Sequence, residues 1–186
     1  MTDETFRGAS VEIIRPDPEL PHSEQPALVL AALTMLGEAR GESTAGKKAV
    51  LWTIRNRRRI AEDYAKRKGG KAHPLFGNGS LASCVLAKWQ FSCWNAGDPN
   101  VAFLSKIVNT RGDSLGKGMW AVAYALAHQV EAAEWKDDPT YGATHYCTIP
   151  LWGTSDTMAW YGAPCIAKGD TVETVTIGNH VFAKVK

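Results

Sequence analysis

The chain has 186 residues, of which 45% are hydrophobic and 22% are charged, and its formal net charge is +2. This length and composition predict one globular domain with a sizeable core. The charge balance is too mild to indicate a nucleic-acid-binding protein, although a slightly basic protein is still attracted to anionic polymers. No apolar run approaches the roughly 20 residues that a membrane-spanning helix needs, so we expect no stable membrane insertion.

The cysteines indicate where the protein is made. Cys84, Cys93, Cys147 and Cys165 include no closely spaced pair, which favours free thiols in a reducing cytoplasm, with a Cys84–Cys93 disulfide as the alternative. The N-terminus lacks the basic-then-apolar order of a secretory signal. We therefore expect synthesis in the cytoplasm and, for any role outside it, a different export route.

The predicted elements begin after an N-terminal segment. Residues 1–25 contain three prolines among polar residues and are interpreted as an extended arm or linker, or as a tail packed on the domain. Residues 26–186 are expected to form the single domain. Pro26 suits the first turn of a helix, and the apolar run from Ala27 to Leu36 predicts that this helix is buried.

Caps, glycines and apolar stripes predict four further helices. They begin at Ser43 or Thr44, at Ser80, at Asp98 with Pro99, and after Gly118. The last third changes to strand patterns: residues 141–147 predict a turn and a short strand, and residues 172–177 and 180–185 flank a two-residue hairpin turn, Gly178–Asn179. The predicted fold class is α+β, mainly α, with a helical body and a small antiparallel sheet near the C-terminus.

The stretch Leu36–Glu42 concentrates reactive groups at the end of the buried helix. It holds two carboxylates, one guanidinium and two glycines, and each glycine weakens a helix by about 1 kcal/mol relative to alanine. We therefore expect the helix to loosen where it delivers Glu38. Partial desolvation there favours the neutral carboxyl, the form that a general acid needs. The alternative is a structural helix end, in which Glu38 pairs with Arg40 and Glu42 caps the next helix.

Two further patterns place polar groups among aromatic or buried residues. Residues 89–95 crowd three aromatic residues around Gln90, Ser92 and Asn95, a mixture that suits a sugar ring, unless the aromatic residues are simply core. Asn56 lies on the buried stripe of the second helix and needs partners. It braces the loop of Glu38 or touches substrate, or else it caps a neighbouring segment. The basic residues of this helix, Arg57 among them, are assigned to a solvated face.

Five blocks, taken in order and spacing, resemble the catalytic domain of the SleB/CwlJ-type cell wall hydrolases, which include spore cortex-lytic enzymes and phage lysins. They are GEARGE (37–42), GKKAVLWTIRNR (46–57), WQFSCWN (89–95), DPTYGATHY (138–146) and IGNHVF (177–182). The chain departs from the family pattern at residues 147–150 and in an enlarged stretch between residues 60 and 80. No peptidoglycan-binding repeat precedes the domain, which favours a phage-type or stand-alone lysin.

The resemblance implies a lysozyme-like fold related to lytic transglycosylases. It also implies cleavage of the β-1,4 bond between N-acetylmuramic acid and N-acetylglucosamine, without a metal or other cofactor. The essential acid of the family maps onto Glu38. In a transglycosylase the same carboxylate then acts as base on the muramyl 6-hydroxyl, which closes a 1,6-anhydro ring.

The second carboxylate of the stretch is assigned a supporting role. On a continuous helix Glu42 would neighbour Glu38 and approach the sugar from the same side, whereas a nucleophile and an acid flank the bond. Glu42 is expected to orient Arg40 or to favour the N-terminus of the next helix. The other candidate supporting or substrate-binding residues are Asn56, Gln90, Ser92, Thr144, Tyr146 and His180, although a strand histidine such as His145 or His180 is more often packed than catalytic.

Three alternatives remain open. One is a muramidase that uses water. The second is a zinc-dependent amidase, for which His145, Cys147, Cys165 and His180 supply suitable ligand types without a recognisable spacing. The third is a non-catalytic wall-binding or virion module. The expected partner is peptidoglycan, the expected state is a monomer, and access to the wall would require a holin, cell lysis or virion delivery.

Overall fold

The computed structural model describes residues 11–152 and 171–185, and this part of the chain is mainly helical. Its α-helices are α1 (Ala27–Ala39), α2 (Thr44–Arg67), α3 (Leu81–Val85), α4 (Pro99–Asn109) and α5 (Met119–Ala132). Its strands are β1 (His145–Thr148), β2 (Thr171–Ile177) and β3 (His180–Val185), which form one antiparallel sheet. The predicted class, a helical body with a small sheet near the C-terminus, is confirmed.

Helix α1 lies at the centre of the helical body. Its side chains are apolar around most of the circumference, so the helix is stable only when neighbours cover it. Helices α2, α3, α4 and α5 all contact it. The core includes Leu30, Leu33 and Met35 of α1 together with Ile54 and Leu104. Among the described residues, no helix combines the length and the apolar character that crossing a membrane requires.

The helices begin where capping residues were predicted. Ser43 Oγ accepts a hydrogen bond from the Gly46 amide at 3.3 Å, and Ser80 Oγ accepts one from the Ser83 amide at 3.1 Å. Asp98 caps α4, which has proline in its first turn. Each side chain satisfies an amide that the helix itself leaves unpaired.

The end of α1 differs from the sequence prediction. The helix does not loosen at Gly37 but continues through Glu38 to Ala39. A Cβ atom on Gly37 would lie 2.6 Å from Cys93 Cβ, so the glycine permits close packing of another segment against the helix. Tertiary contact therefore outweighs the weak helix propensity of glycine.

The sheet has the strand order β1–β3–β2, with the C-terminal hairpin formed by β2 and β3. Ile177 pairs with His180 across the Gly178–Asn179 turn, where Gly178 has a φ of 60°, and the predicted hairpin is confirmed. Strand β1 joins the other edge of β3. A small apolar cluster attaches the sheet to the helices; its buried members are Ala39, Ala49, Val50, Ala143 and Phe182.

Residues 11–25 run along the helical body without forming a strand. Trp120 Nε1 donates to the Ile14 carbonyl at 2.9 Å, and Arg15 pairs with Asp113 at 2.6 Å. Val11 and Ile13 pack against the core. This segment is therefore attached to the helices by apolar and polar contacts.

Three of the four cysteines lie within the described residues. Cys84, Cys93 and Cys147 are buried, and Cys84 and Cys93 do not form a disulfide. The expectation of free thiols holds for Cys84 and Cys93, and Cys165 lies outside the described part of the chain.

Candidate active site

Glu38 lies in the last turn of α1 and is half-buried. Its Oε1 accepts hydrogen bonds from the Cys93 amide at 2.9 Å and from Ser92 Oγ at 3.3 Å. Its Oε2 accepts one from the Tyr146 hydroxyl at 2.9 Å. Two segments far from α1 in sequence thus converge on one carboxyl group and bind both of its oxygens.

The Tyr146 hydroxyl and the Cys93 thiol beside Glu38 both remain protonated at neutral pH. Burial and the adjacent Glu38 charge raise the pKa of Tyr146 well above its ordinary value, and burial and the same charge raise the pKa of Cys93. Glu38 therefore leaves the apolar helix α1 into surroundings that supply hydrogen-bond donors, two of which, Ser92 and Tyr146, were among the predicted supporting residues. The site holds the carboxyl group oriented, and the residue is only half-buried.

Glu42 lies in the connection between α1 and α2 and binds the hairpin turn. Its Oε2 accepts from the Asn179 amide at 3.2 Å, and its Oε1 accepts from Asn179 Nδ2 at 3.1 Å. Burial opposes ionisation, but these hydrogen bonds and the charges of His180 and Lys47 outweigh it and lower the pKa of Glu42. Glu42 therefore does not orient Arg40, which hydrogen bonds Asn100 instead.

His180 lies between the two glutamates. Its Nδ1 is 3.7 Å from Glu42 Oε1, and its ring meets the Tyr146 ring edge-on, with centroids 5.4 Å apart. Burial lowers the pKa of His180, and the negative charges of Glu42 and Glu38 raise it by less, so the net shift is downward. The ring is therefore neutral near pH 7. The His180 ring packs against the ring of Tyr146, the residue whose hydroxyl donates a hydrogen bond to Glu38.

Asn56 is almost fully buried and organises the approach to β1. Its Nδ2 donates to Asp138 Oδ2 at 2.9 Å and to the Ala143 carbonyl at 3.0 Å. With 1% of its surface exposed, Asn56 does not reach substrate. It caps a neighbouring backbone segment, which is one of the alternatives that the sequence left open, and it does not bind the Glu38 loop.

Arg57 is the residue that sequence reasoning misplaced. It was assigned to the solvated face of α2, but it is buried, with Nε donating to the Thr144 carbonyl at 2.6 Å and Nη1 donating to the Gln90 carbonyl at 2.7 Å. It thereby ties together the two segments that supply Ser92 and Tyr146. The available signal was its position four residues after Thr53, on the stripe predicted to be buried.

The remaining predicted residues have structural contacts. Gln90 is half-buried and contributes its carbonyl to Arg57. Thr144 is 3% exposed, and its hydroxyl lies 2.9 Å from His145 Nδ1. Burial, assisted by the charge of Arg57, lowers the pKa of His145 to about 3. Thr144 and His145 are buried and do not line the surface of the site, whereas Gln90 remains partly exposed.

The aromatic residues of the 89–95 stretch divide between the two interpretations. Phe91 is 1% exposed and belongs to the core, whereas Trp89 is 68% exposed. Trp94 is half-buried, and its Nε1 donates to Thr34 Oγ1 at 2.9 Å. Trp89 is therefore the aromatic side chain of this stretch that is available to a ligand.

The zinc hypothesis requires a cluster of ligands. Within residues 11–152 and 171–185, no three histidine, cysteine, aspartate or glutamate side chains are grouped closely enough to hold a metal ion. Cys165, one of the four ligands considered from the sequence, lies outside these ranges. His145 and Cys147 are buried in β1, and His180 is packed behind Tyr146.

Comparison with known proteins gives the family. No curated protein and no solved structure matches the chain. The model of the cell wall hydrolase family matches residues 41–183, a segment that includes Glu42, Ser92, Tyr146 and His180, whereas Glu38 lies three residues before it. Because this match covers most of the 186 residues, the chain belongs to the cell wall hydrolase family.

Proposed function

We propose that the protein is a peptidoglycan-degrading glycosidase that cleaves the β-1,4 bond between N-acetylmuramic acid and N-acetylglucosamine, with Glu38 as its general acid. Membership of the cell wall hydrolase family supports peptidoglycan as the substrate class. The role of Glu38 is supported by three hydrogen bonds that its carboxyl oxygens accept, from the Cys93 amide and from the Ser92 and Tyr146 hydroxyls. A carboxyl group held in one orientation is suited to transfer a proton to a defined oxygen.

The proposed reaction is that of a lytic transglycosylase. Glu38 donates its proton to the glycosidic oxygen as the bond from muramic acid C1 to that oxygen breaks. The resulting carboxylate then takes the proton of the muramyl 6-hydroxyl while O6 bonds to C1, so a 1,6-anhydro ring forms and no water is consumed. Glu38 ends the cycle protonated.

Glu42 is not needed as a nucleophile in this reaction. Both of its oxygens accept hydrogen bonds from Asn179, and it is the second carboxylate that a double-displacement mechanism would otherwise call upon. Its proposed role is to hold the hairpin turn and, through His180, the position of Tyr146.

The setting of the activity is proposed on the same basis. The protein is proposed to be a monomeric lysin. It would reach the wall after cell lysis, through a holin or from a virion. The substrate class of the family supports the wall as the place of action.

Replacement of Glu38 by glutamine tests this function. Glu38→Gln preserves the size of the side chain but replaces one acceptor oxygen by an NH2 donor and removes the transferable proton, so release of dye from labelled peptidoglycan should fall by about a thousandfold. The matched control is Glu134→Gln, the same change in an exposed ion pair with Lys136. The control should retain activity, and both variants should unfold near the parent temperature. Full activity of a folded Glu38→Gln protein would contradict the proposal.

A further inference from the structure

Two exposed aromatic side chains stand on strained backbone. Trp89 and Tyr141 are 68% and 69% exposed, the largest values among the large hydrophobic residues of the described part of the chain. Their φ angles are 69° and 54°, in the left-handed region that L-residues other than asparagine and aspartate rarely occupy. The third such residue, Arg111, follows the end of α4, where this conformation is common.

Both aromatic residues occupy turn positions that normally hold other residue types. Trp89 is the third residue of the turn closed by the hydrogen bond from the Gln90 amide to the Ala87 carbonyl. Tyr141 is the second residue of the turn closed by the hydrogen bond from the Ala143 amide to the Thr140 carbonyl. It precedes Gly142, which also has a positive φ. Glycine, asparagine and aspartate dominate such positions. A large aromatic side chain at such a position is not buried, and it strains the backbone of the turn. Neither property stabilises the fold, which points to a role in function.

Both turns adjoin the segments that bind Glu38. Trp89 lies three residues before Ser92, and Tyr141 lies five residues before Tyr146. Arg57 donates to the carbonyls of Gln90 and Thr144 and so holds the two segments to one guanidinium group. The exposed rings are therefore carried on the same framework that orients the carboxyl group.

We propose that Trp89 and Tyr141 are stacking platforms for sugar rings of the glycan strand, one on each of the two segments that flank Glu38. This inference rests on the proposed function and adds a binding site to it. The axial C–H groups of a pyranose ring form an apolar face that packs on an aromatic ring. The Lys88 ammonium lies 5.2 Å from the centre of the Trp89 ring, where it complements the carboxylates of the lactyl and peptide groups attached to muramic acid.

Asparagine substitutions separate binding from folding. Trp89→Asn and Tyr141→Asn remove the rings but suit left-handed turn positions, so the unfolding temperature should stay equal or rise. Binding is measured by co-sedimentation with purified peptidoglycan in the Glu38→Gln background, and cleavage is measured with Glu38 intact on soluble glycan fragments. Each substitution should raise Kd and KM about tenfold and leave kcat within about twofold.

Two controls complete the experiment. Trp89→Phe keeps an aromatic face and should recover most of the binding, and Val122→Asn removes an exposed apolar side chain on α5 and should bind like the parent. Unchanged Kd and KM in both asparagine variants would overturn the proposal, as would a loss of binding that accompanies a lower unfolding temperature. Cleavage by the Glu38→Gln protein would count against the proposed function alone, because the binding comparison does not depend on turnover.

Discussion

The orientation of Glu38 depends on single contacts from residues far along the chain. The Tyr146 hydroxyl is the donor to Oε2, and the Cys93 amide and Ser92 hydroxyl are the donors to Oε1. His180 packs against the Tyr146 ring, and Glu42 lies beside His180. A change in any of these residues reaches the carboxyl group through a short chain of contacts.

Loss of the Tyr146 hydroxyl should reduce activity with little effect on folding. Tyr146→Phe leaves Oε2 of Glu38 without its protein donor, so kcat on soluble glycan fragments should fall by about tenfold to a hundredfold. The net contribution of one such hydrogen bond to stability is about 1 kcal/mol, so the free energy of unfolding should change by about that amount. Ser114→Ala, the loss of an exposed hydroxyl outside the site, is the control. Unchanged kcat in Tyr146→Phe would show that this donor does not orient the acid.

The sequence predicted the site only where a residue type or a motif reveals its chemistry. Glu38, Ser92 and Tyr146 stood in recognisable blocks, and the structure brings them together. Arg57 was misplaced because a charged residue in a basic run is normally solvated. Its burial depends on two backbone carbonyls and on the Phe91 ring, 4.5 Å from the guanidinium carbon, and local sequence does not show these partners.

At the scale of elements, the end of α1 is determined by packing against the Ser92–Trp94 turn. Gly37 faces Cys93 with no room for a side chain, whereas a Cβ atom on Gly41, after the helix, would have no other atom within 4 Å. The sequence predicted helix starts well, because caps such as Ser43 act within one turn. It mispredicted the course of α1 at Gly37, because the packing partner, Cys93, lies far along the chain.

The two glycines give a matched pair of variants. Gly37→Ala should destabilise the protein by about 1–3 kcal/mol, because the added methyl group displaces Cys93, and activity should fall as the Cys93 amide leaves Glu38. Gly41→Ala should be neutral or stabilising by up to about 1 kcal/mol. Denaturant unfolding and dye release measure the two effects. Equal behaviour of the two variants would contradict the close packing of Gly37.

At the scale of the whole molecule, the sheet completes a site that begins on the helical body. Strand β1 supplies Tyr146, the hairpin turn holds Glu42, and α1 supplies Glu38. The sequence predicted the helices, the hairpin and their order. It could not predict which end of the sheet meets α1, since that depends on the long-range apolar cluster around Ala39 and Phe182.

The burial of His145 in β1 makes the stability of the protein depend on pH. Its pKa in the folded protein is about 3, against an ordinary value of 6.5, so the unfolded chain binds more protons between these values. The unfolding free energy should therefore fall as the pH drops from 6.5 toward 3, with a contribution from His145 that approaches about 1.4 kcal/mol per pH unit. In His145→Gln this part of the slope should vanish, whatever the absolute stability. An identical slope in both proteins would show that His145 titrates normally when folded.

The central claim is that Glu38 cleaves the glycan strand without consuming water. It is tested most directly by mass spectrometry of the soluble fragments released from purified peptidoglycan by the parent protein and by Glu38→Gln. We expect fragments with 1,6-anhydromuramic ends, one water lighter than muramidase products, from the parent and none from the variant. Hydrated reducing ends would contradict the transglycosylase reaction, and freed peptides with intact glycan strands would contradict glycosidic cleavage itself.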